Sequence, residues 1–136
     1  MKVFQYIEIW VDNMFIYNSN EASLEMEPLY TVQGSQTYNL MVASYGFRGE
    51  HSFCIDCYEV DDVIKDLELM YRNFSGTATI HDFDSDSFVA FKFEIPYRLK
   101  IFGKLGNVDD DNMMRFAFLA DQTVLKILSD VIKSNK

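Results

Sequence analysis

The sequence is poor in the residues that mark disulfide scaffolds, metal centres and membrane anchors. It has two cysteines, two histidines and no apolar run near the roughly 20 residues that cross a bilayer. Gln5 and Glu8 interrupt its apolar opening and no small-residue cleavage site follows, so no signal peptide is predicted. Two cysteines without such a signal fit a reducing compartment, where thiols stay free. We therefore expect a cytoplasmic protein.

Positive charge is also scarce. The chain has 12 Lys and Arg residues against 21 Asp and Glu residues, for a formal charge of −9. A chain of this charge repels phosphate backbones and anionic lipid. We therefore expect no direct nucleic-acid partner and no membrane partner, and a basic protein is the natural complement.

What the chain does contain is apolar and aromatic side chains. Hydrophobic residues make up 49% and aromatic residues 15% of the sequence, which excludes a disordered chain. At 136 residues the chain has the size of one domain, and no linker-like or low-complexity stretch divides it. We expect residues 1–136 to form a single domain.

The two cysteines form a C-x-x-C pattern at Cys54 and Cys57. A redox pair normally sits at a helix N-terminus, whereas the strand predicted here directs positions i and i+3 to opposite faces. Zinc would need two more ligands, and His51 and His81 are the only histidines. Two separate packed or surface thiols are the favoured interpretation.

The carboxylates of residues 81–86 resemble the opening of a calcium loop. Ser87 and Phe93, however, stand where that loop needs its turn glycine and its bidentate glutamate. The sequence also lacks a Ser-His-Asp, a nucleophilic Cys-His or a phosphate-cradling glycine pattern. We predict no catalytic residues, no cofactor and no metal, and hence a protein that is not an enzyme.

Two stretches show the apolar period of 3.6 that is typical of amphipathic helices. Between Val60 and Gly76 the stripe consists of Val63, Ile64, Leu67, Met70, Tyr71 and Phe74. We predict that Asp61 caps this helix and that Gly76 provides its exit. A second helix, capped by Asp121, has the stripe Val124, Leu125, Leu128, Val131 and Ile132. The two stripes align with each other, which leaves an internal duplication open, although any two amphipathic helices would align about as well.

Elsewhere the apolar period is two, which is typical of strands. Strands are predicted over residues 2–11, 14–17, 37–45, 50–58, 77–83, 88–95, 99–104 and 113–119. Turn-forming residues interrupt residues 18–36, which are predicted to be a loop with at most one short strand. The expected fold is α+β: an antiparallel sheet of about seven to eight strands, with one central and one C-terminal helix packed on it.

The acidic residues concentrate in predicted turns and at the start of the first helix. Alternate turns of an antiparallel meander lie at one end of the sheet, so the acids of the two turns should share an edge with those of the helix start. The predicted partner-binding rim consists of Glu59, Asp61, Asp62, Asp82, Asp84, Asp86, Asp109, Asp110 and Asp111. Such a rim would steer a basic protein to the site. The alternative is that aspartate is simply favoured in turns for local hydrogen bonding.

Three short motifs carry a family resemblance. They are Ser75-Gly76-Thr77-Ala78 after the first helix, Leu105-Gly106 in the meander, and Ala120-Asp121-Gln122-Thr123-Val124-Leu125 at the start of the second helix. With this order of elements, the chain beyond about Thr37 resembles the WapI-type immunity-protein family. The resemblance implies a small cytoplasmic protein that binds and neutralises the C-terminal toxin domain of a polymorphic toxin, commonly a nuclease.

The resemblance assigns no inhibitory residue, because the matching positions look like determinants of the fold. The residue chemistry leaves two alternatives: a general acidic protein-interaction subunit and a small-ligand-binding domain that uses the aromatic side chains. Exposed aromatic residues clustered with the acidic rim would favour a protein interface. A deep enclosed cavity would favour the ligand-binding domain.

Overall fold

A computed structural model describes residues 15–94, 98–107, 109 and 111–136, which form two four-stranded antiparallel sheets and two helices. The first sheet consists of β1 (Phe15–Asn18), β2 (Ala22–Val32), β3 (Ser35–Ser44) and β4 (Phe47–Ile55), followed by helix α1 (Val60–Asn73). The second consists of β5 (Thr77–His81), β6 (Phe88–Glu94), β7 (Arg98–Leu105) and β8 (Met114–Ala120), followed by helix α2 (Thr123–Ser134).

Both sheets are simple meanders, in which each strand pairs with the next strand along the chain. The α+β class with antiparallel strands and two helices is therefore confirmed. The strands divide between two sheets rather than forming one layer, because α1 interrupts the meander between β4 and β5. Within the described residues, both sheets thus follow the same order, four strands and then a helix.

Strand β2 lies where the sequence predicted a loop, and that prediction was wrong. Its buried residues Ala22, Leu24 and Met26 alternate with half-buried ones, and the strand pairs with β3 along its length. A register shift between Pro28 and Tyr30 absorbs the proline, which has no N–H to donate to the ladder. The strand predicted over residues 2–11 lies outside the described residues.

The core lies between the inner faces of the two sheets and under the helices. Tyr17 of the first sheet stacks on Phe118 of the second, with ring centroids 5.7 Å apart. The helices pack on each other, and both Leu67 of α1 and Leu128 of α2 are completely buried. Such side chains each contribute roughly 1.5–3 kcal/mol to folding.

The helix ends differ from the prediction for α1 and resemble it for α2. Glu59 is the residue before α1, no side chain caps it, and Asp61 lies inside the first turn. The helix ends because Phe74 adopts a left-handed conformation with φ of 50° and donates its N–H to the Met70 carbonyl, so Gly76 is not the terminator. At α2, the Asp121 carboxylate accepts the N–H of the first helical residue, Thr123, at 3.1 Å.

Candidate functional site

Asp82 fixes the loop between β5 and β6 to the end of β4. Its carboxylate is buried and accepts the backbone N–H of Cys54 at 2.8 Å, the N–H of Asp84 at 3.2 Å and the hydroxyl of Ser85. The backbone N–H of Phe83 also donates to the Cys54 carbonyl at 2.9 Å. Asp82, which the sequence placed among the partner-binding residues, therefore holds the loop in position instead of facing solvent.

The loop between β7 and β8 lies beside the loop that Asp82 anchors. The N–H of Asp86 donates to the Asn107 side chain at 2.9 Å, and the N–H of Gly106 donates to the Ser87 hydroxyl at 2.8 Å. These bonds bring the acids of the two loops to one edge of the molecule. Asp84, Asp86, Asp109 and Asp111 are all exposed there.

A further carboxylate joins this edge from the end of β4. The pKa of the Cys54 thiol is raised first by burial and then by the negative charges of Asp84, Asp82 and Asp56, against a lowering hydrogen bond from Thr37. Asp56 lies two residues after Cys54, is half-buried, and accepts a hydrogen bond from the Ser35 hydroxyl at 3.4 Å. We call Asp56, Asp84, Asp86, Asp109 and Asp111 the acidic edge.

The remaining predicted rim residues lie at the start of α1. Glu59, Asp61 and Asp62 are exposed, and Asp61 forms an ion pair with Lys136 at 2.7 Å. That pair ties the start of α1 to Lys136, two residues beyond the end of α2. Asp110 lies outside the described residues.

Two exposed aromatic side chains accompany the acidic edge, and the sequence analysis did not single them out. Phe83 is 67% exposed between Asp82 and Asp84, and Tyr58 is 87% exposed two residues after Asp56. The backbone hydrogen bond between Phe83 and Cys54 joins the β5–β6 loop to the end of β4, four residues before Tyr58. The sequence does indicate Phe83, because it is an aromatic residue inside an acidic turn, where core packing does not require one.

Two grooves on the described surface are open to solvent. One of about 330 Å³ lies between the start of β4 and the β7–β8 loop and is lined by Arg48, Glu50, His51 and Asp111 among others. Another of about 310 Å³ lies between α1 and α2. These volumes are at the lower end of small-molecule sites.

Cys54 and Cys57 are free thiols, each half-buried. Within residues 15–94, 98–107, 109 and 111–136, no group of three or more His, Cys, Asp or Glu side chains is arranged to hold a metal ion. No helix in the described part of the chain is both long enough and apolar enough to cross a membrane.

The comparison with known proteins finds a likeness in fold and none in sequence. No protein-family model and no curated protein matches this chain. The fold is similar to that of the MRP1/MRP2 proteins of Trypanosoma brucei, known from crystal structures, with a TM-score of 0.55. The likeness covers 99% of this chain and 92% of that chain at 10% sequence identity. At this identity it shows the fold alone.

Proposed function

We propose that this chain is a cytoplasmic, non-enzymatic immunity protein, which binds a cognate toxin domain through the acidic edge and neutralises it. The observation that carries the proposal is the exposure of two rings, Phe83 between Asp82 and Asp84 in the β5–β6 loop and Tyr58 two residues after Asp56. Aromatic anchors inside a charged rim are the composition of protein-binding hot spots. The resemblance to the WapI-type family supplies the toxin context.

The charge of the acidic edge suits a nuclease as the target. Nucleases present basic surfaces to phosphate backbones, and a row of carboxylates complements such a surface. The negative field raises the rate of encounter, and the two rings supply apolar contact once the surfaces meet. A toxin domain held in this way has its substrate-binding surface covered.

The experiment is co-purification with the product of a neighbouring reading frame that encodes a large secreted protein with a basic C-terminal domain. We expect that domain to be toxic when expressed alone, to be tolerated with this chain, and to elute with it as one complex. Phe83→Ala combined with Tyr58→Ala should abolish protection, whereas Phe47→Ala, which removes a 73% exposed ring elsewhere, should preserve it. Protection that survives the double substitution would remove the acidic edge from the interface.

The second candidate is a general acidic interaction subunit with no toxin context, which the same exposed rings would serve. The two functions differ in one readout. A subunit would bind a basic protein without changing that protein's activity, whereas an immunity protein must abolish it.

A further inference from the structure

The outer face of the second sheet is built from rows of residues that the strand register sets side by side. Buried and exposed positions alternate along β5, so Ala78 and Ile80 face the core while Thr77, Thr79 and His81 face outward. The register then places three outward rows across the four strands. They are His81–Phe88–Lys104–Arg115, Thr79–Ala90–Phe102–Ala117 and Thr77–Lys92–Lys100–Leu119.

This outer face is basic although the chain as a whole is acidic. It carries five of the 12 basic residues of the chain: Lys92, Arg98, Lys100, Lys104 and Arg115. Among the described residues of its strands, Glu94 is the one carboxylate on this face, opposite Arg98 and 3.9 Å from the Lys100 ammonium. The net charge of −9 is therefore the sum of a basic face and a more strongly acidic remainder of the chain.

The cations on this face are placed against each other. Lys92 stands directly opposite Lys100, and Lys104 directly opposite Arg115. Like charges at directly opposite positions of an antiparallel pair destabilise a sheet. Lys104 is, in addition, only 7% exposed. A face that concentrates positive charge at a cost to folding fits an anionic ligand.

Between the two cationic rows lies an aromatic ring with small neighbours. Phe102 is half-buried, and the residues opposite it are Ala90 on β6 and Ala117 on β8. The Lys100 ammonium sits 5.4 Å from the centre of the Phe102 ring, so a charged group already reaches the ring. Ala117 is exposed beside the ring and Ala90 is only 3% exposed, and neither alanine places a bulky side chain directly opposite the ring.

We propose that this outer face binds single-stranded nucleic acid, with a base stacked on Phe102 and phosphates against Lys92, Lys100 and Arg115. Proteins that bind single strands combine a cationic track with aromatic rings on which bases stack. Phe102 between two cationic rows has both elements. An acidic protein would match the charge but would leave the placement of Phe102 between alanines without a purpose.

A nucleic-acid ligand on this face is contrary to the absence of a nucleic-acid partner that the net charge predicts. Binding on this face does not depend on the proposed immunity function, because the two use different residues. Loss of toxin protection tests the acidic edge, and loss of oligonucleotide binding tests the outer face of the second sheet.

The test is binding of the full chain to a fluorescently labelled single-stranded oligonucleotide, followed by fluorescence anisotropy over a series of salt concentrations. Phe102→Ala should weaken binding about 5- to 100-fold, whereas Phe102→Tyr, which keeps the ring, should bind as the natural chain does. Lys100→Ala should flatten the plot of log affinity against log salt by about one contacted phosphate. A duplex of equal length should bind more weakly, because stacking needs an unpaired base.

The matched controls remove the same groups elsewhere. Lys65→Ala takes an exposed cation from α1, and Phe47→Ala takes an exposed ring from the first sheet, so neither should change the affinity. Absence of oligonucleotide binding at low salt would overturn the proposal. Equal affinity for duplex and single strand, or equal losses in the control variants, would overturn it too. Binding of poly-glutamate in place of the oligonucleotide would assign the face to an acidic protein instead.

Discussion

The Asp82 carboxylate and the Cys54 backbone connect the two sheets of this protein. The carboxylate accepts the Cys54 N–H at 2.8 Å, and the N–H of the next residue, Phe83, donates back to the Cys54 carbonyl at 2.9 Å. The backbone N–H and the backbone carbonyl of Cys54 are therefore both hydrogen-bonded to the β5–β6 loop of the second sheet. The position of the β5–β6 loop, which carries Asp84, Asp86 and the exposed Phe83 ring, depends on this connection.

Replacing Asp82 should destabilise the fold more than replacing its exposed neighbour. Asp82→Ala leaves the Cys54 N–H without its partner and removes two further hydrogen bonds, so we expect the free energy of unfolding to fall by about 2–3 kcal/mol. Asp84→Ala removes an exposed carboxylate and should change it by about 0.5 kcal/mol or less. Urea denaturation measures both values. Equal effects of the two substitutions would show that Asp82 does not anchor the loop.

The rate at which the Cys54 thiol is alkylated should depend on the negative charges of the nearby carboxylates. Burial is the largest cause of its raised pKa, and Asp84, Asp82 and Asp56 raise the pKa further because they disfavour the thiolate. Asp84→Asn removes one negative charge, so the pKa should fall and the thiolate fraction at a fixed alkaline pH should rise.

We therefore expect faster alkylation of Cys54 by iodoacetamide in Asp84→Asn than in its parent, with Cys57→Ser present in both and mass spectrometry as the readout. Asp62→Asn removes a carboxylate from the exposed side of α1 and serves as the control. An unchanged rate in Asp84→Asn would place Asp84 away from the thiol.

Stability at alkaline pH should depend on Tyr38. Burial raises the pKa of Tyr38 to about 12, with a smaller lowering effect from its hydrogen bond with Asn135. In the unfolded chain the pKa is about 10. The folded protein therefore binds the Tyr38 proton more tightly than the unfolded chain does. The contribution of protonated Tyr38 to stability is complete below pH 10 and is lost as the pH rises towards 12.

Over this interval the free energy of unfolding should fall by as much as about 2–3 kcal/mol more in the natural chain than in Tyr38→Phe. The comparison uses the slope against pH, because the phenylalanine variant also loses the 2.5 Å hydrogen bond to Gln36 and starts from a lower stability. Parallel slopes for the two proteins would mean that Tyr38 ionises normally in the folded state.

The sequence predicted those features that depend on neighbours along the chain. The stripe is buried as expected from Val63 to Met70, because helical periodicity is a local property, whereas Phe74, which was assigned to the same stripe, follows the helix and is 47% exposed. The adjacency of the loops that hold Asp86 and Asn107 followed from meander topology, in which alternate turns share an end of the sheet.

Features that depend on the pairing and register of neighbouring strands were missed, because the pattern within one strand does not show them. Strand β2 forms because β3 offers it a partner, and residues 18–36 alone do not show that partner. The basic face was missed for the same reason, since Lys92 and Lys100 become neighbours only through the register of β6 and β7. The net charge of the whole chain predicts an acidic surface and does not reveal a basic face.

Two glycines in the sheets should respond differently to the same substitution. A Cβ at Gly103 would collide with the Phe88 carbonyl oxygen and lie 2.9 Å from the Phe116 ring, whereas a Cβ at Gly49 would meet the sulfur of Met114 at 2.7 Å. Backbone cannot move aside, but the end of a methionine can.

We expect Gly103→Ala to lower the free energy of unfolding by about 1–3 kcal/mol or more, and Gly49→Ala by less than about 1.5 kcal/mol. Thermal and urea denaturation of the two variants, which differ only in position, provide the measurement. A Gly103→Ala protein as stable as the natural chain would mean that β6 and β7 are further apart than described.

In the proposed complex, we expect the acidic edge to govern how fast the toxin domain associates, and the Phe83 and Tyr58 rings to govern how long the complex lasts. Reversing Asp109 and Asp111 to lysine removes two negative charges and adds two positive ones, so the association rate constant at low salt should fall about tenfold or more, and the difference should shrink at high salt. Phe83→Ala should instead raise the dissociation rate constant, because an aromatic anchor contributes short-range contact and no long-range field.

Glu25→Lys combined with Glu27→Lys makes the same change of charge on the outer face of the first sheet and is the matched control. If it slows association as much as the Asp109 and Asp111 reversals do, the partner responds to total charge and not to the acidic edge. Surface plasmon resonance at two salt concentrations separates these outcomes. The two double variants have equal net charge, so steering by the acidic edge must give them different association rate constants.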